Sequence, residues 1–467
     1  MSEKNVDGAG VSPFRLPNIR MFLAFRVLYN ARFYYPVYAL VFLDLGLSTQ
    51  DFLILNMIWG IGIVILEVPS GALADSIGRR SLMIAGAICM IVEMAIFTFA
   101  PAGNVSLLFG LLVINRILSG ASEALVSGAD EALAYDTLKE AGMERTWNGV
   151  LARLMQIQSL AFTGALLIGS ALYDERMLNG FCNMMGIDWQ FSRDQTLRIP
   201  LFLTLLSSVF VLIAALKTKE PAEGRAHSEL SFAKQLWASS KLVLSAGAWI
   251  LKTPFALAVI CGGFLVDAFL RTFITFASQY YQVIQLPEAS YGVIGAIMAG
   301  LGVVWPGIAR RLGERFGPLG NFLNISALAC VGLFGISFFM PYVGVIWVLP
   351  MMAGWSFLNY FVSQYLNQVT ASERRATVLS FRGLSFNLAY SVATWAMALL
   401  MGNAERNVLA EQPEIGSRLL ENAKFVEAAP ALPVAFLICV AIFVVFVFLK
   451  LSPTDVPDRP QTEQEDS

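Results

Sequence analysis

The chain is short of charge. Only 14% of its 467 residues are Asp, Glu, Lys or Arg, where ordinary soluble domains carry about 25%. The net charge is −2, so no basic surface points to nucleic acid. There is one histidine, His227, which argues against a histidine-based metal or catalytic centre. The five cysteines are Cys89, Cys182, Cys261, Cys330 and Cys439. Four lie in apolar runs and only Cys182 in a polar loop, so neither a disulfide framework nor a metal spacing follows. A glycine-rich phosphate loop with its lysine is missing too, as is a long soluble domain. No enzyme and no cofactor are expected.

What the chain has is apolar length. Hydrophobic residues make up 57%, mean hydropathy is +0.64, and the apolar residues gather into runs of about 20, enough to cross a bilayer. Twelve such segments are predicted. The first six are Arg20–Leu43, Phe52–Pro69, Ser81–Ala100, Val105–Leu133, Trp147–Leu172 and Ile199–Leu216. The second six are Pro254–Val283, Tyr291–Leu312, Leu319–Met340, Val343–Val369, Ala376–Met401 and Ala431–Leu451. The expected fold class is an all-α polytopic membrane protein, with 12 transmembrane helices in two six-helix bundles, 20–216 and 254–451. Residues 1–19 and 452–467 read as polar tails, and 217–253 as a central loop.

Basic residues test the topology. With the N-terminus inside, 21 Lys and Arg fall on inner segments, 6 on outer loops and 5 within helices. Positive charge collects on the cytoplasmic side, so both termini are expected in the cytoplasm, in the inner or plasma membrane of a cell. The central loop opens polar and then sets Phe232, Leu236, Trp237, Leu242 and Leu244 among Lys234 and Lys241. Two readings stand for it: a helix lying on the inner membrane surface, or a solvated linker helix.

The densest motif is Gly71-Ala72-Leu73-Ala74-Asp75-Ser76-Ile77-Gly78-Arg79-Arg80, a polar hairpin between two apolar runs. Glycines at 71 and 78 let helices approach and the chain turn. The spacing G-x-x-x-D-x-x-G-R-R resembles the loop between the second and third helices of the major facilitator superfamily. That resemblance implies a secondary transporter. It also implies a gate in which Asp75 caps the helix starting near Ala376-Thr377 and Arg79 pairs with Asp136, locking the outward-facing state. Ser127-Gly128-Ala129-Asp130-Glu131-Ala132-Leu133-Ala134-Tyr135-Asp136 and Arg374-Arg375-Ala376-Thr377-Val378-Leu379-Ser380 resemble bacterial members of the drug:proton antiporter branch. One departure is in the fifth helix. Where that branch has a Gly-Pro pair, this chain reads Gly164-Ala165-Leu166-Leu167-Ile168-Gly169. A faint internal repeat lays Leu73–Gly78 over Leu312–Gly317, 239 residues apart, and the same offset lays Arg32 over Arg271. Repeated halves are usual in transporters.

Charge inside a bilayer is costly and marks a cavity or a partner. Arg116, Gly120, Glu123 and Ser127 share one face of the fourth helix. Its R-x-x-x-G run resembles the superfamily's fourth-helix motif, which implies a proton-coupling role for Arg116; the other reading is that Arg116 pairs with a buried carboxylate. Glu123 is the favoured proton carrier, ahead of Asp267 and Glu93. Asp267 and Arg271 stand four apart on the seventh helix, either as a responsive pair in a cavity wall or as an internal salt bridge. Arg26, Tyr29, Asn30 and Phe33 make a second polar face. Asn359, Phe361, Gln364, Asn367 and Gln368 give the tenth helix uncharged hydrogen-bonding groups, suited to a partly apolar substrate or to contacts between helices.

The expectation is a monomeric carrier in the lipid bilayer, moving a small amphipathic organic compound by alternating access, with protons as coupling ion and efflux as direction. The alternatives are nutrient uptake or metabolite export by symport or uniport, and a membrane sensor that no longer transports.

Overall fold

Lipid offers backbone N–H and C=O groups no partner, so a spanning chain satisfies them within helices. The computed structural model describes residues 12–101, 103–221 and 232–452, and every regular element in it is helical. In order these are α1 (Pro17–Asn30), α2 (Tyr38–Asp44), α3 (Thr49–Ile77), α4 (Arg79–Thr98), α5 (Val105–Val126) and α6 (Ala129–Glu140). Next come α7 (Trp147–Tyr173), α8 (Glu175–Met184), α9 (Arg193–Lys217), α10 (Phe232–Lys252), α11 (Pro254–Val283) and α12 (Ala289–Leu301). The chain ends with α13 (Trp305–Arg315), α14 (Pro318–Ile336), α15 (Val348–Val369), α16 (Ser372–Glu411), α17 (Ser417–Ala428) and α18 (Ala431–Lys450).

Among the described residues, 10 helical stretches are long and apolar enough to cross a membrane, or 11 if the pair α12 and α13, bent by 45°, is one span. The first predicted segment, Arg20–Leu43, is not one helix. α1 stops at Asn30, a 3-10 turn covers Tyr35–Val37, and α2 follows. Pro36 has no N–H to donate and disfavours helix before it, and the Phe33 N–H goes to the Thr204 hydroxyl at 3.1 Å instead of to its own helix. The predicted Tyr291–Leu312 breaks in the same way before Pro306, at the second position of α13. Val105–Leu133 divides at Ser127-Gly128 into α5 and α6.

The chain folds as two compact units. The first takes the described residues up to Ser240 together with Leu286–Ala299. In it, Gly120 on α5 lies so close to α3 that a Cβ would come 3.0 Å from the Trp59 carbonyl, the close approach that small residues give membrane helices. Tyr34, Tyr38, Phe42, Phe52 and Phe97 pack as an aromatic core. The start of α12 joins this unit through its backbone. The Ala289 N–H donates to Asp174 Oδ2 at 3.0 Å, and the Ser170 hydroxyl donates to the Ala289 carbonyl at 3.1 Å. The second unit takes Lys241–Gln285 and the described residues from Gly300 on. There α11 packs on α15 and α16, with Phe273, Phe276, Tyr280 and Phe425 at its centre.

Candidate functional site

The hairpin motif is built around one glycine. α3 continues as helix through Ile77 and stops at Gly78, whose φ of 86° and ψ of 154° lie in a region open essentially to glycine alone. α4 starts at once, and the first N–H groups of a helix have no partner within it. The Glu220 carboxylate supplies one, accepting from the Arg79 N–H at 3.0 Å and the Arg80 N–H at 2.8 Å, where the helix dipole favours an anion. The Arg80 side chain donates to the carbonyls of Thr218 at 2.8 Å and Leu216 at 3.1 Å, fastening the end of α9. Arg79 forms an ion pair with Asp136 on α6, the partner the resemblance implied. Gly71 lies exposed inside α3, with open space among the described residues where a Cβ would stand. The side chains of Asp75 and Ala376 lie outside the described residues, and with them the expected helix cap.

In the first unit, a run of polar groups crosses four helices. Buried Arg32 meets the fully buried Glu93 at 2.8 Å. Asn115 donates to the Glu93 carbonyl at 2.7 Å and to its carboxylate at 3.2 Å. The Asn115 oxygen accepts from Arg116 Nε at 2.7 Å, and Arg116 Nη1 donates to the Tyr38 hydroxyl at 2.7 Å. Tyr38 donates in turn to Asn56 at 2.7 Å. The Arg116 guanidinium stands 5.5 to 5.9 Å from the rings of Tyr38, Phe42 and Phe97, within cation–π range. Among the described residues Arg116 has no ion pair. It reaches Glu93 only through Asn115.

The shared face of α5 therefore splits. Gly120 meets α3, while Glu123 accepts from the Tyr29 hydroxyl at 3.2 Å and forms no ion pair among the described residues. Two turns of helix, about 11 Å along the axis, separate Arg116 from Glu123, which is why they find different partners. Arg26 pairs with Asp130 at 2.8 Å and Glu131 at 3.0 Å on α6. Asn30, one turn on from Arg26 on the same side of α1, turns its amide back onto the Arg26 carbonyl at 2.8 Å.

In the second unit, Asp267 and Arg271 meet at 2.9 Å along α11. Trp355 Nε1 donates to the other Asp267 oxygen at 2.9 Å. Arg271 also donates to Asn387 at 3.0 Å and to the Phe386 carbonyl at 2.7 Å, with its guanidinium 4.4 Å from the Tyr390 ring centre. Asn359 accepts from Arg382 at 3.0 Å. The side-chain oxygens of Gln364 and Asn367 are buried without a hydrogen-bond partner among the described residues. A cavity of about 480 Å³ opens between α11, α14, α15 and α18, lined by Phe255, Phe322, Leu358, Tyr365 and Phe443 with no charged side chain. Among the described residues, no three His, Cys, Asp or Glu gather as metal ligands would.

Several groups were not singled out from sequence. Glu220 read as part of a polar linker, and Arg382 as an inner-end arginine. The third is Arg193, which pairs with Asp44 at 2.6 Å and Glu288 at 2.6 Å and lies 4.2 Å from the Tyr173 ring centre. Asp44 and Glu288 are 149 and 95 residues from Arg193, and no periodicity signals such a meeting.

The comparisons fit this architecture. The family model described as Major Facilitator Superfamily matches residues 21–394. Proteins named MFS-type transporter ppzB, from Metarhizium rileyi and Metarhizium majus, are each 30% identical over 111 residues. Those matches span 24% of this chain and only 21% and 22% of the relatives. A bacterial homolog to the human lysosomal transporter Spinster, solved inward-facing and unoccupied, has a TM-score of 0.69 at 15% identity, covering 97% of this chain and all of that one. The nucleoside transporter NupG has a TM-score of 0.66 at 15% identity, over 94% of this chain and 99% of that one. From the apolar helices, the Gly78 hairpin and a family match over most of its length, the chain belongs to the Major Facilitator Superfamily and is a multi-pass membrane protein.

Proposed function

We propose that this protein is a proton-linked efflux carrier for small amphipathic compounds, of the drug:proton antiporter branch. The observation that carries the coupling is the state of Glu123. Glu93, Asp130 and Asp267 each lie against an arginine; Glu123 has the Tyr29 hydroxyl instead. A guanidinium beside a carboxylate favours its charged form. Glu123 has no arginine against it among the described residues, and in this reading it carries the proton as the cavity opens and closes. Arg116 takes the coupling role its motif implies, reaching the Arg32–Glu93 pair through Asn115.

The carrier is a monomer in the inner or plasma membrane, with both termini cytoplasmic. It works by alternating access of two bundles, 20–216 and 254–451. Gly78, Arg79, Arg80 and Asp136 belong to its cytoplasmic gate, with Asp75, and the Arg79–Asp136 pair breaks as that side opens. Asp267, Arg271, Asn359 and Gln364 line the substrate path of the second bundle. The apolar cavity between α11, α14, α15 and α18, which none of these four side chains lines, supports a passenger with an apolar part.

Symport or uniport is the second reading, and α7 favours it: the helix runs from Trp147 to Tyr173 without a proline. Everted vesicles carrying the protein, loaded with the amphipathic dye ethidium, separate the two. Under antiport, an acid interior draws dye inward against its gradient; under symport, it drives dye out. Glu123→Gln is expected to abolish flux driven by the pH gradient while dye exchange survives. Driven flux at the wild-type rate in Glu123→Gln would remove Glu123 from the mechanism. No response to any pH gradient would remove proton coupling.

A further inference from the structure

α10 contains three lysines and no acid. Lys234, Lys241 and Lys252 are its only charged residues. At about 100° per residue, Gln235, Ser239, Val243, Ala246 and Ile250 fall on one side, and that side is turned to protein. Gln235, Ala246 and Ile250 are buried, and Ser239 and Val243 half-buried. The Gln235 amide oxygen accepts from the Ser76 hydroxyl at 2.5 Å. At the other end Gly247 lies against the Phe381 ring.

The opposite side carries Trp237, Leu244 and Leu251, which are 67%, 72% and 69% exposed. They are seven residues apart and so form a nearly straight apolar row along the helix. Lys234, Lys241 and Lys252, all exposed, form a second row along one edge of it. An ordinary solvated helix turns its large apolar side chains inward and its charges outward. α10 turns both outward, side by side. Only Thr253 separates it from Pro254, where the membrane-length helix α11 begins.

We propose that α10 is a lipid-docking helix. Trp237, Leu244 and Leu251 enter the hydrocarbon edge of the leaflet beside the start of α11, and Lys234, Lys241 and Lys252 bind the phosphates of anionic phospholipids there. Apolar area and attraction to anionic lipid together hold such helices in the interface, and lysine stems reach headgroups while lying along an apolar surface. The assignment is independent of substrate, direction and coupling ion, so it stands or falls apart from proton-linked efflux.

The test uses the full chain with its five cysteines changed to alanine, reconstituted in vesicles of phosphatidylcholine alone or mixed with phosphatidylglycerol. A nitroxide is placed at Leu244→Cys or, as a water-facing control beyond the lysine row, at Ala238→Cys. The preference of the label for oxygen over an aqueous nickel complex is expected to be several-fold higher at 244 than at 238. It is expected to rise at 244 when phosphatidylglycerol is added. Lys234→Gln/Lys241→Gln/Lys252→Gln should erase that rise and leave the control unchanged. Equal nickel access at the two positions would mean a solvated linker and overturn the proposal. So would a label at 244 shielded from both reagents, because protein would then cover the row. An immersion that does not respond to phosphatidylglycerol would overturn the anionic-lipid assignment.

Discussion

Arg32 lies in the break after α1 and finds its acid, Glu93, on α4, 61 residues away. Arg271, at the matching offset in the second unit, finds Asp267 one turn back on its own helix. Both arginines are withdrawn from water, but their dependence on the fold differs. Arg32–Glu93 exists only when α1 and α4 are docked, so it ties helices together and fails as a unit. Asp267–Arg271 forms whenever α11 is helical, and the rest of the Arg271 guanidinium is satisfied by Asn387, the Phe386 carbonyl and the Tyr390 ring. A cation with several neutral partners is insured against loss of its acid. Arg32 has fewer and weaker ones, the Tyr34 hydroxyl at 3.3 Å and the Tyr29 ring at 5.4 Å.

The sharpest way to break this comparison is to remove the cross-helix pair. Arg32→Ala leaves a carboxylate that is fully buried, with Asn115 as its remaining side-chain partner. Deleting one member of such a pair costs about 3–5 kcal/mol. The unfolding free energy of purified protein is expected to fall by that amount, read as a lower thermal midpoint, with a fall in expression. A variant as stable as the wild type would show that Glu93 had found another cation, and the contrast between the units would disappear.

Asp267→Asn should do less. The Trp355 indole keeps an oxygen to donate to, and Arg271 keeps its three neutral partners, so the loss is about 1.5–3 kcal/mol, the range for a hydrogen bond to a charged group. The same unfolding measurement checks it. A loss as large as that of Arg32→Ala would mean that Asp267 ties helices as Glu93 does, and the distinction between a local and a long-range pair would fail.

That distinction also decides what could be read from sequence. Asp267–Arg271 was legible because a spacing of four is a local rule. Arg32 and Glu93 were both visible as ionised residues in apolar runs, but nothing local says which helix meets which. Arg79–Asp136 was legible only through the family motif. Glu220 was hidden because a capping carboxylate in a polar linker looks like any other surface acid until the chain returns it to Gly78. The helices themselves were legible from apolar length. Their interruptions at 31–37 and 302–304 were not, since a proline in an apolar run is read as a kink as readily as a break. Arg116 and Glu123 were rightly placed on one helix face, yet a face two turns long touches different neighbours at its two ends.

Glu288 sharpens the comparison from the side of least effect, because it comes from the second half of the sequence and sits in the first unit. Burial raises its carboxyl above the ordinary 4.5, and Arg193 only partly offsets this. The folded state thus holds that proton more tightly than the unfolded chain. Its contribution to stability is complete below the ordinary value and is lost as pH rises through the raised one. At neutral pH the ionised group gains the fold little, and Arg193 retains Asp44 at 2.6 Å and the Tyr173 carbonyl at 3.1 Å. Glu288→Gln keeps the shape and removes the charge. It is expected to change stability at neutral pH by less than about 1 kcal/mol, as for half-exposed ion pairs generally, and to flatten the acid-side pH dependence of unfolding. If Glu288→Gln instead unfolds the protein as readily as Arg32→Ala, then the start of α12 is held by charge and not by its backbone bonds to Asp174 and Ser170, and Arg193 belongs with Arg32 among the cations that cannot lose an acid.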